Sequence, residues 1–364
     1  MEEVYTLERE VGRGSYGVVF EGRVAGTGPW GNRGERVAIK RLPCSSPECI
    51  ELYLQELWAM RATAKSHPNV IALHCCLLQT GPKTLQPLRP GRLPLNLVES
   101  ALKGSVRVSD SETQKKAGTG EGTGAPRSRK RVMPSEPVPR PCSALWLVME
   151  YCDGGDLNHY LLSRPAETRR NHSVLRQLSG ALAFLHRLHI VHRDLKPDNV
   201  LVCLTPTGPL VKVADFGLSK VSKGSTDGDL TRQLFSSTCG SDFYMAPEVW
   251  SGRSYTAQAD IFSLGVLFWA VLERITFLED GATQEQLGAY VCRGRRLVPL
   301  GEALCDNPDL QLCIPMRAKR APSLPGPPSP ELCALLLDML AADPTARPMA
   351  HQLENRVRRA TSLQ

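Results

Sequence analysis

A short polar stretch near the middle of the chain contains the residue types needed to transfer a phosphoryl group to a hydroxyl. The stretch is His192-Arg193-Asp194-Leu195-Lys196-Pro197-Asp198-Asn199. A carboxylate at Asp194 would orient the attacking hydroxyl and accept its proton. Lys196 would neutralise charge on the transferring group, and the amide oxygen of Asn199 is a hard ligand suited to Mg²⁺. The spacing therefore predicts phosphoryl transfer, with a simple polar turn as the alternative.

A second candidate metal ligand follows this loop. Asp215 opens the tripeptide Asp215-Phe216-Gly217, which lies 21 residues after Asp194. Two short predicted strands, Val200–Val202 and Val211–Val213, separate the two carboxylates. A carboxylate that chelates Mg²⁺ would offset the charge that develops during phosphoryl transfer. Because such a tripeptide is common by chance, its position after the polar loop is what supports this interpretation.

The N-terminal region contains a glycine-rich pattern between two predicted strands. Strand-like composition extends from Tyr5 to Val24, on both sides of the pattern. The pattern alone is weak evidence, but strand composition after Gly17 favours a hairpin over the helix of a dinucleotide-binding fold. Backbone N–H groups can approach phosphates closely where side chains are absent. The residues expected to bind phosphates are Gly12, Arg13, Gly14, Ser15, Tyr16 and Gly17.

A strand and a helix are predicted after the hairpin. The strand is Val37-Ala38-Ile39-Lys40, and its period of two places Ala38 and Lys40 on one face. Apolar residues then recur at helical spacing from Glu48 to Lys65 and predict an amphipathic helix. Its predicted apolar face comprises Ile50, Leu54, Leu57 and Trp58.

Three further elements are predicted in the rest of the chain. Residues Leu145 to Cys152 have strand composition, and residues Leu175 to Arg187 predict a helix that leads into the polar loop. The longest uncharged apolar stretch, Ile261 to Leu272, has 12 residues. It is shorter than the roughly 18 residues that suggest a membrane span, and it predicts a buried core helix.

Taken together and in this order, these motifs resemble the eukaryotic protein kinase superfamily, Ser/Thr type. The polar stretch matches the family's catalytic loop, H-R-D-L-x-x-x-N, at every position. The resemblance implies an α+β bilobal kinase fold, with a small N-lobe of antiparallel sheet plus one helix and a larger, mainly helical C-lobe. It also implies ATP and Mg²⁺ as cofactors, with Asp194 and Lys196 as catalytic residues and Asn199 and Asp215 as metal ligands.

The resemblance assigns further residues to the nucleotide. Lys40 would reach the α- and β-phosphates and pair with Glu56, although Glu51 is a competing candidate for that pairing. Met149 would be the gatekeeper beside the adenine, and Asp156 would accept a hydrogen bond from the ribose. The adenine edge would contact backbone groups of Glu150 and Cys152, and its faces would contact Val19, Ala38 and Leu201.

Other matches bear on substrate type and on structural support. Lys196-Pro197 and Gly240-Ser241 resemble Ser/Thr kinases, and Ser241 keeps the hydroxyl that can bridge Asp194 and Lys196. Asp260 resembles the aspartate that anchors the catalytic loop, and Arg347 resembles the partner of the glutamate in Ala246-Pro247-Glu248. The segments Cys152–Leu157, Gly240–Trp250 and Leu272–Phe277 resemble the PDZ-LIM-interacting kinase group, which tends to be nuclear.

One kinase domain is expected from about residue 5 to residue 358, with an N-lobe of about 5–151 and a C-lobe of about 152–358. Residues 109–141 are rich in Gly, Ser, Thr, Pro and basic side chains and predict a disordered basic insertion within the N-lobe. The run Arg127–Arg131 could act as a nuclear import signal, or it could simply be solvated.

Composition limits the class of protein and its partners. The chain has 364 residues, 42% of them hydrophobic, and a formal net charge of +7. Between Lys103 and Arg140, nine basic and four acidic residues supply most of that charge, so nucleic acid is not an expected partner. The twelve cysteines form no C-x-x-C pair, which favours reduced thiols inside a cell. We expect nuclear or alternatively cytoplasmic localisation, no membrane contact, Ser/Thr protein substrates and a candidate PDZ-LIM scaffold partner.

The segment from Asp215 to Glu248 is the expected activation loop. Phosphorylation there, including autophosphorylation, could supply a partner for Arg193 and order the loop, or the loop could be solvated without modification. The candidate acceptors are Ser219, Ser222, Ser225, Thr226, Thr231, Ser236, Ser237 and Thr238.

Two alternative functions remain for the chain as a whole. It could be a scaffold without catalysis, or a small-molecule phosphotransferase.

Overall fold

The computed structural model describes residues 5–14, 17–26, 33–44, 47–63, 67–79, 85–88, 143–221, 241–278, 282–316 and 325–362. These residues fall into two compact units. The first lies within Met1–Leu54 and His74–Met149, and the second within Gln55–Leu73 and Glu150–Gln364. The predicted insertion at 109–141 lies outside the described residues.

Most of the first unit is one β-sheet. Its strands, within the described residues, are β1 (Tyr5–Gly14), β2 (Gly17–Val24), β3 (Arg36–Pro43), β4 (Leu73–Gln79), β5 (Leu85–Pro87) and β6 (Ala144–Glu150). They lie in the order β1-β2-β3-β6-β4-β5, and the pairs β1–β2, β2–β3 and β4–β5 are antiparallel. The predicted hairpin and the strand through Lys40 are therefore confirmed, whereas β6 ends at Glu150, two residues before the predicted end.

The sheet is held together by apolar side chains on one of its faces. In β3, Val37 and Ile39 are buried while Ala38 and Lys40 are half-buried, as the period of a strand requires. The buried cluster on this face comprises Tyr5, Val24, Val37, Ile39, Leu77, Ala144, Trp146 and Val148. Hydrophobic burial fixes this face of the sheet, so the side chains on the opposite face, such as Ala38 and Lys40, can make other contacts.

The predicted amphipathic helix is α1 (Pro47–Thr63), and it begins and ends within two residues of the prediction. Its buried apolar side chains are Ile50, Tyr53, Leu54, Leu57, Ala59 and Met60. Trp58 was expected on this face but is 44% exposed, so that part of the prediction is wrong. The buried face is centred on positions spaced by three, four and seven residues, and Trp58 lies beyond its edge.

The second unit is mainly helical. Its helices are α2 (Leu157–Leu162), α3 (Thr168–Arg187), α4 (Pro247–Trp250), α5 (Gln258–Glu273), α6 (Leu300–Asp306), α7 (Pro330–Met339) and α8 (Ala350–Ser362). Its short strands are β7 (Ile190–Val191), β8 (Val200–Thr205), β9 (Gly208–Val213), β10 (Lys220–Val221), β11 (Thr276–Phe277), β12 (Gln286–Leu287), β13 (Tyr290–Arg293) and β14 (Arg296–Pro299). The two strands predicted after the polar loop are β8 and β9, which pair antiparallel.

The core of the second unit is built around α5. Every residue of α5 is buried, which confirms the core helix predicted from the apolar stretch. Helix α3 packs against α8 and β9. It begins at Thr168, seven residues before the predicted start, because its first two turns bury polar residues such as Asn171 and His172 and give no apolar signal. None of the described helices is both long and apolar enough to cross a membrane.

Candidate active site

The polar loop predicted to carry catalysis follows β7 and ends in a 3-10 helix, Pro197–Asn199, that leads into β8. Its backbone is held by Asp260 of α5. The Asp260 carboxylate accepts hydrogen bonds from the backbone N–H groups of His192 at 2.9 Å and Arg193 at 2.8 Å. Arg193 has a φ of 72°, a left-handed conformation that costs about 1–3 kcal/mol unless its surroundings stabilise it. The predicted anchoring role of Asp260 is therefore confirmed.

Histidines complete the support of the loop. His186, at the end of α3, donates from Nε2 to the Asp260 carboxylate at 2.9 Å. Burial alone would raise the pKa of Asp260, but the hydrogen bond from His186, the two neighbouring imidazoles and the Arg193 N–H hold that pKa below its usual value. His192 is fully buried and donates from Nε2 to the carbonyl of Ala214 at 2.9 Å. The loop is thus tied both to α5 and to the residue before Asp215.

Both carboxylate oxygens of Asp194 have defined partners. Asn199 donates from its amide to Oδ2 at 2.8 Å, and Ser241 donates from its backbone N–H and its hydroxyl to Oδ1, each at 3.0 Å. The ammonium of Lys196 lies 2.5 Å from Ser241 Oγ and 3.5 Å from Asp194 Oδ2. The expected bridge by the Ser241 hydroxyl is confirmed. The carboxylate is 14% exposed, so it can contact an acceptor from solvent while its orientation is fixed.

The two predicted metal ligands are brought close together by the backbone. Ala214 N donates to Asn199 O at 2.9 Å, which places Asp215 directly beside Asn199. The amide NH₂ of Asn199 is committed to Asp194, so its amide oxygen is the atom that can ligate a cation. Asp215 is exposed, has a φ of 57° and accepts from Gly217 N at 3.3 Å. An amide oxygen and a carboxylate on these adjacent segments are donor types that suit Mg²⁺.

No group of three or more His, Cys, Asp or Glu side chains within the described residues is arranged to hold a metal ion.

The buried residue Glu56 lies next to the same tripeptide. The residue is 2% exposed, and a Cβ placed on Gly217 would lie 3.7 Å from Oε2 of Glu56 and 3.2 Å from Oδ1 of Asp215. The competing candidate, Glu51, is exposed on α1. This difference in burial favours Glu56 over Glu51 for a role near the phosphates.

The segment after β6 contains the residues predicted to contact adenine and ribose. Glu150 N donates to Ala72 O at 3.0 Å, while the Glu150 side chain accepts from Ala72 N at 2.6 Å and pairs with Lys212 at 3.0 Å. Asp156 accepts from His159 N at 2.8 Å and so caps α2. Leu201 is half-buried in β8 and forms a backbone bridge with Asp156. Four of the residues predicted to contact adenine or ribose therefore lie in the second unit: Glu150, Cys152, Asp156 and Leu201.

The predicted phosphate-binding hairpin and strand belong to the first unit. Gly14 and Gly17 are cross-strand partners at the turn, and Ser15 and Tyr16 lie outside the described residues. A Cβ on Gly17 would overlap the carbonyl oxygen of Arg41, whereas one on Gly12 would meet nothing within 4 Å. The Arg13 guanidinium pairs with both carboxylate oxygens of Glu10 at 2.8–2.9 Å. Gly17 is therefore required by a close approach of two strands.

Lys40 and its neighbours share one face of this sheet. Val19 is the cross-strand partner of Lys40, and Glu21 is the partner of Ala38. The predicted placement of Ala38 and Lys40 on one face is confirmed by this register. Met149 is half-buried near the end of β6. Their predicted nucleotide contacts stay predictions.

A family model described as a protein kinase domain matches residues 136–357, more than half of the chain. The chain belongs to the protein kinase domain family. A second model, described as protein tyrosine and serine/threonine kinase, matches residues 5–88. The predicted α+β kinase fold, with an N-terminal antiparallel sheet and a helical C-terminal region, is therefore confirmed.

Two relatives of this kinase-family chain are themselves serine/threonine kinases. Over 165 residues it is 38% identical to serine/threonine-protein kinase unc-51 of Caenorhabditis elegans, a match that covers 43% of this chain and 18% of that protein. Over 164 residues it is 34% identical to serine/threonine-protein kinase ULK1 of Homo sapiens, with coverage of 43% and 15%. Each match therefore covers less than a fifth of the relative's own length.

The activation segment of this kinase-family protein is described at its two ends. Ser219, one of the eight candidate phosphate acceptors, is fully buried, and its hydroxyl donates to Phe216 O at 2.7 Å. The other candidate acceptors lie outside the described residues. At the far end, Arg347 forms two hydrogen bonds with Glu248, at 2.7 and 2.8 Å, which confirms the predicted pair.

Sequence reasoning missed two side chains that support the site. His186 gave no signal, because one histidine in the last turn of a helix does not reveal its partner. Lys212 also gave none, although it is buried, pairs with Glu150 and donates to Pro68 O at 2.8 Å. The available signal was a lysine between two valines of a predicted strand. A lysine in such an apolar pattern is expected to be buried, and a buried lysine needs a carboxylate partner.

Proposed function

We propose that this chain is an ATP-dependent protein serine/threonine kinase that transfers the γ-phosphoryl group of ATP to Ser or Thr hydroxyls of proteins. The observation that carries the proposal is the held carboxylate of Asp194. One of its oxygens accepts from Asn199 and the other from Ser241, with the Lys196 ammonium alongside. Family membership and the names of the two relatives support the proposal.

In this proposal Asp194 orients the acceptor hydroxyl and accepts its proton as phosphoryl transfer proceeds. Lys196, held by the Ser241 hydroxyl, stabilises negative charge on the transferring group. Bound Mg·ATP supplies the phosphoryl group and a cation that offsets its charge. Hydrogen bonds hold the side chains of Asp194 and Lys196 in place before substrate binds, so little reorganisation is needed during the reaction.

We propose that ATP and Mg²⁺ bind to the residues assigned by the sequence. Asn199 and Asp215 would ligate the cation, and the glycine-rich hairpin with Lys40 would bind the phosphates. Backbone groups of Glu150 and Cys152 would contact the adenine edge. Supporting this, the Glu150 N–H is already engaged by Ala72, which leaves the Glu150 carbonyl as its backbone group for the base. The remaining nucleotide contacts proposed are Val19, Ala38, Glu56, Met149, Asp156 and Leu201.

The proposal is tested by phosphate transfer from radiolabelled ATP onto the chain itself and onto a generic Ser/Thr/Tyr substrate, followed by identification of the labelled amino acid. Label on Ser or Thr in the wild type and its loss in Asp194→Asn is the expected result. Label on Tyr alone would contradict the Ser/Thr assignment. Nucleotide binding without any transfer in either protein would favour the scaffold alternative, and transfer to a metabolite instead would favour a small-molecule phosphotransferase.

We also propose that the chain belongs with the PDZ-LIM-interacting kinases, is nuclear and has a PDZ-LIM scaffold partner. Support comes from the sequence segments Cys152–Leu157, Gly240–Trp250 and Leu272–Phe277. The kinase domain would extend over residues 5–358, with 109–141 as an insertion. Alanine substitution of Arg127–Arg131 in a fluorescently tagged full chain should shift it from the nucleus to the cytoplasm. A wild-type chain that stays in the cytoplasm would contradict nuclear localisation, and failure to bind a purified PDZ-LIM protein would contradict that partner.

A further inference from the structure

Two cysteines from different segments of the second unit lie with their sulfur atoms in contact. Cys152 follows β6 and Cys203 lies in β8, and their Sγ atoms are 3.1 Å apart. Both residues are free thiols. A disulfide bond is about 2.05 Å long, so the sulfurs would need to approach by only about 1 Å to bond. No sequence pattern indicates this pair, because the two residues are far apart along the chain and fit no C-x-x-C pattern.

The backbone on both sides holds the two thiols together. Gly154 N donates to Val202 O, and Val202 N donates to Gly155 O, each at 2.8 Å. A Cβ on Gly154 would lie 2.8 Å from Val202 O, so this glycine allows the two segments to approach closely. On the other side, the Asp153 carboxylate accepts from Leu204 N at 2.8 Å. These contacts keep the backbone segments that carry the two cysteines close together.

The surroundings of the pair make one thiol the better nucleophile. The hydrogen bond with Cys152, opposed by burial and assisted by the Lys212 ammonium, lowers the pKa of Cys203. The same hydrogen bond and burial raise the pKa of Cys152. Both residues are half-buried, so a small oxidant can reach them. Thiolate character and access are the two features that make a cysteine susceptible to oxidation.

We propose that Cys152 and Cys203 form an oxidation site, which hydrogen peroxide closes to an intramolecular disulfide that weakens ATP binding. The effect on ATP rests on the proposed function, because Cys152 lies in the segment expected to contact adenine. The formation of the disulfide does not depend on it.

The chemistry needs one peroxide for each disulfide. The Cys203 thiolate attacks one peroxide oxygen, the O–O bond breaks, and the products are a sulfenic acid at Cys203 and hydroxide. The Cys152 thiol then attacks the Cys203 sulfur, forming the S–S bond, while the sulfenic hydroxyl leaves and takes up a proton to form water. The hydroxide accepts the remaining proton. Each sulfur is oxidised by one electron, and one peroxide is reduced to two waters.

The disulfide would change the adenine-binding segment directly. Closing the gap of about 1 Å pulls Cys152 towards β8, and the backbone of Cys152 moves with its side chain. A shift of this size is large compared with the precision that a hydrogen bond to the adenine edge requires. A thiol reductant breaks the bond by exchange and restores the original geometry.

The test uses the full chain, treated with hydrogen peroxide or with a thiol reductant. Peptide mapping by mass spectrometry identifies linked cysteines, and ATP binding is measured on both forms. We expect a Cys152–Cys203 link in the oxidised wild type only, together with a severalfold higher Kd for ATP that the reductant reverses. Cys203→Ser should lack the link, and its ATP affinity should be insensitive to peroxide. Cys305→Ser, which removes a half-buried cysteine of α6, is the matched control and should behave like the wild type.

Oxidised protein without a Cys152–Cys203 link would overturn the proposal, as would a link that leaves the Kd for ATP unchanged. Loss of ATP binding on oxidation of Cys203→Ser would also overturn it, because other thiols would then be responsible. Reduced protein that does not bind ATP at all would contradict the proposed function and the ATP effect. A Cys152–Cys203 link in that case would support the oxidation site by itself.

Discussion

At the scale of single residues, the hydroxyl of Ser241 connects the two proposed catalytic side chains. It donates to Asp194 at 3.0 Å and accepts from Lys196 at 2.5 Å. Serine at this position supplies the hydroxyl that the bridge requires. Apart from this hydroxyl, the Ser241 side chain is a single methylene group. Substitution by alanine therefore removes the hydroxyl with little change in side-chain size.

Ser241→Ala should lower kcat by about tenfold or more, because hydrogen bonds to charged groups contribute about 1.5–3 kcal/mol each. The Kd for Mg·ATP should change little, since Ser241 is not among the proposed nucleotide contacts. Ser241→Thr keeps the hydroxyl and serves as the control, with near wild-type turnover. Steady-state kinetics with a protein substrate, combined with ATP titration, distinguish the two variants. Equal activity of Ser241→Ala and wild type would show that the bridge is not needed.

Residue-level roles were predictable only where a motif fixed them. Asp194, Lys196 and Asn199 were singled out by their spacing, and Asp260, at the start of the apolar helix, by its resemblance to the family's anchoring aspartate. His186 and the Cys152–Cys203 pair were not, because their partners lie far away in the sequence. Glu56 is buried and Glu51 is exposed, a difference that the sequence pattern does not show because both residues fit it.

At the scale of elements, the glycine-rich hairpin depends on the close packing of β2 against β3. A side chain at Gly17 would overlap the backbone carbonyl of Arg41, and backbone atoms cannot move aside without disturbing the strand pair. Gly26, after the end of β2, would place a Cβ with no atom within 4 Å. An added methyl group should therefore clash at Gly17 and fit without contact at Gly26.

Gly17→Ala should destabilise the first unit by about 1–3 kcal/mol, the usual cost of overpacking a well-packed site. It should also weaken ATP binding, because the hairpin is proposed to contact the phosphates. Gly26→Ala is the matched control and should leave the unfolding midpoint unchanged. Thermal unfolding monitored with and without ATP measures both effects. Equal midpoints and equal ATP affinity for the two variants would show that the hairpin accommodates the methyl group.

Element prediction succeeded where apolar periodicity was strong and failed where it was weak. The hairpin, α1 and α5 were found because their apolar patterns extend over many residues. Strand β5 has three residues and several strands of the second unit have two, which is too short for a periodic signal. Trp58 was misplaced because large apolar residues at the edge of a helix face fit the pattern whether or not they are buried.

At the scale of the whole molecule, stability depends on charges buried in the second unit. Arg347 is completely buried and Glu248 is 8% exposed, and their side chains form two short hydrogen bonds. Arg347 also donates to the carbonyl of Gln258 at 3.0 Å and lies 5.1 Å from the centre of the Phe262 ring. The pair therefore joins the end of the activation segment to α5 and to the residues before α8.

Arg347→Ala should lower the free energy of unfolding by about 3–5 kcal/mol, because removal of one partner leaves the Glu248 charge buried without compensation. Arg358→Ala removes the exposed partner of Glu354 and should cost about 1 kcal/mol at most. Chemical denaturation followed by far-UV circular dichroism compares the two variants. Equal losses would contradict the assignment of Arg347 to the core of the second unit.

In the proposed mechanism, phosphoryl transfer depends on the Asp194 carboxylate as the base, while other residues bind the nucleotide. The most direct measurement compares kcat and the Kd for Mg·ATP in wild type, Asp194→Asn and Asp198→Asn. Asp198 is the exposed aspartate of the same loop, so its substitution makes the same chemical change without removing the proposed base. Asp194→Asn should lower kcat by about 10²–10⁴-fold with a nearly unchanged Kd, and Asp198→Asn should keep most of its activity. Loss of ATP binding in Asp194→Asn, or turnover equal to wild type, would contradict the claim.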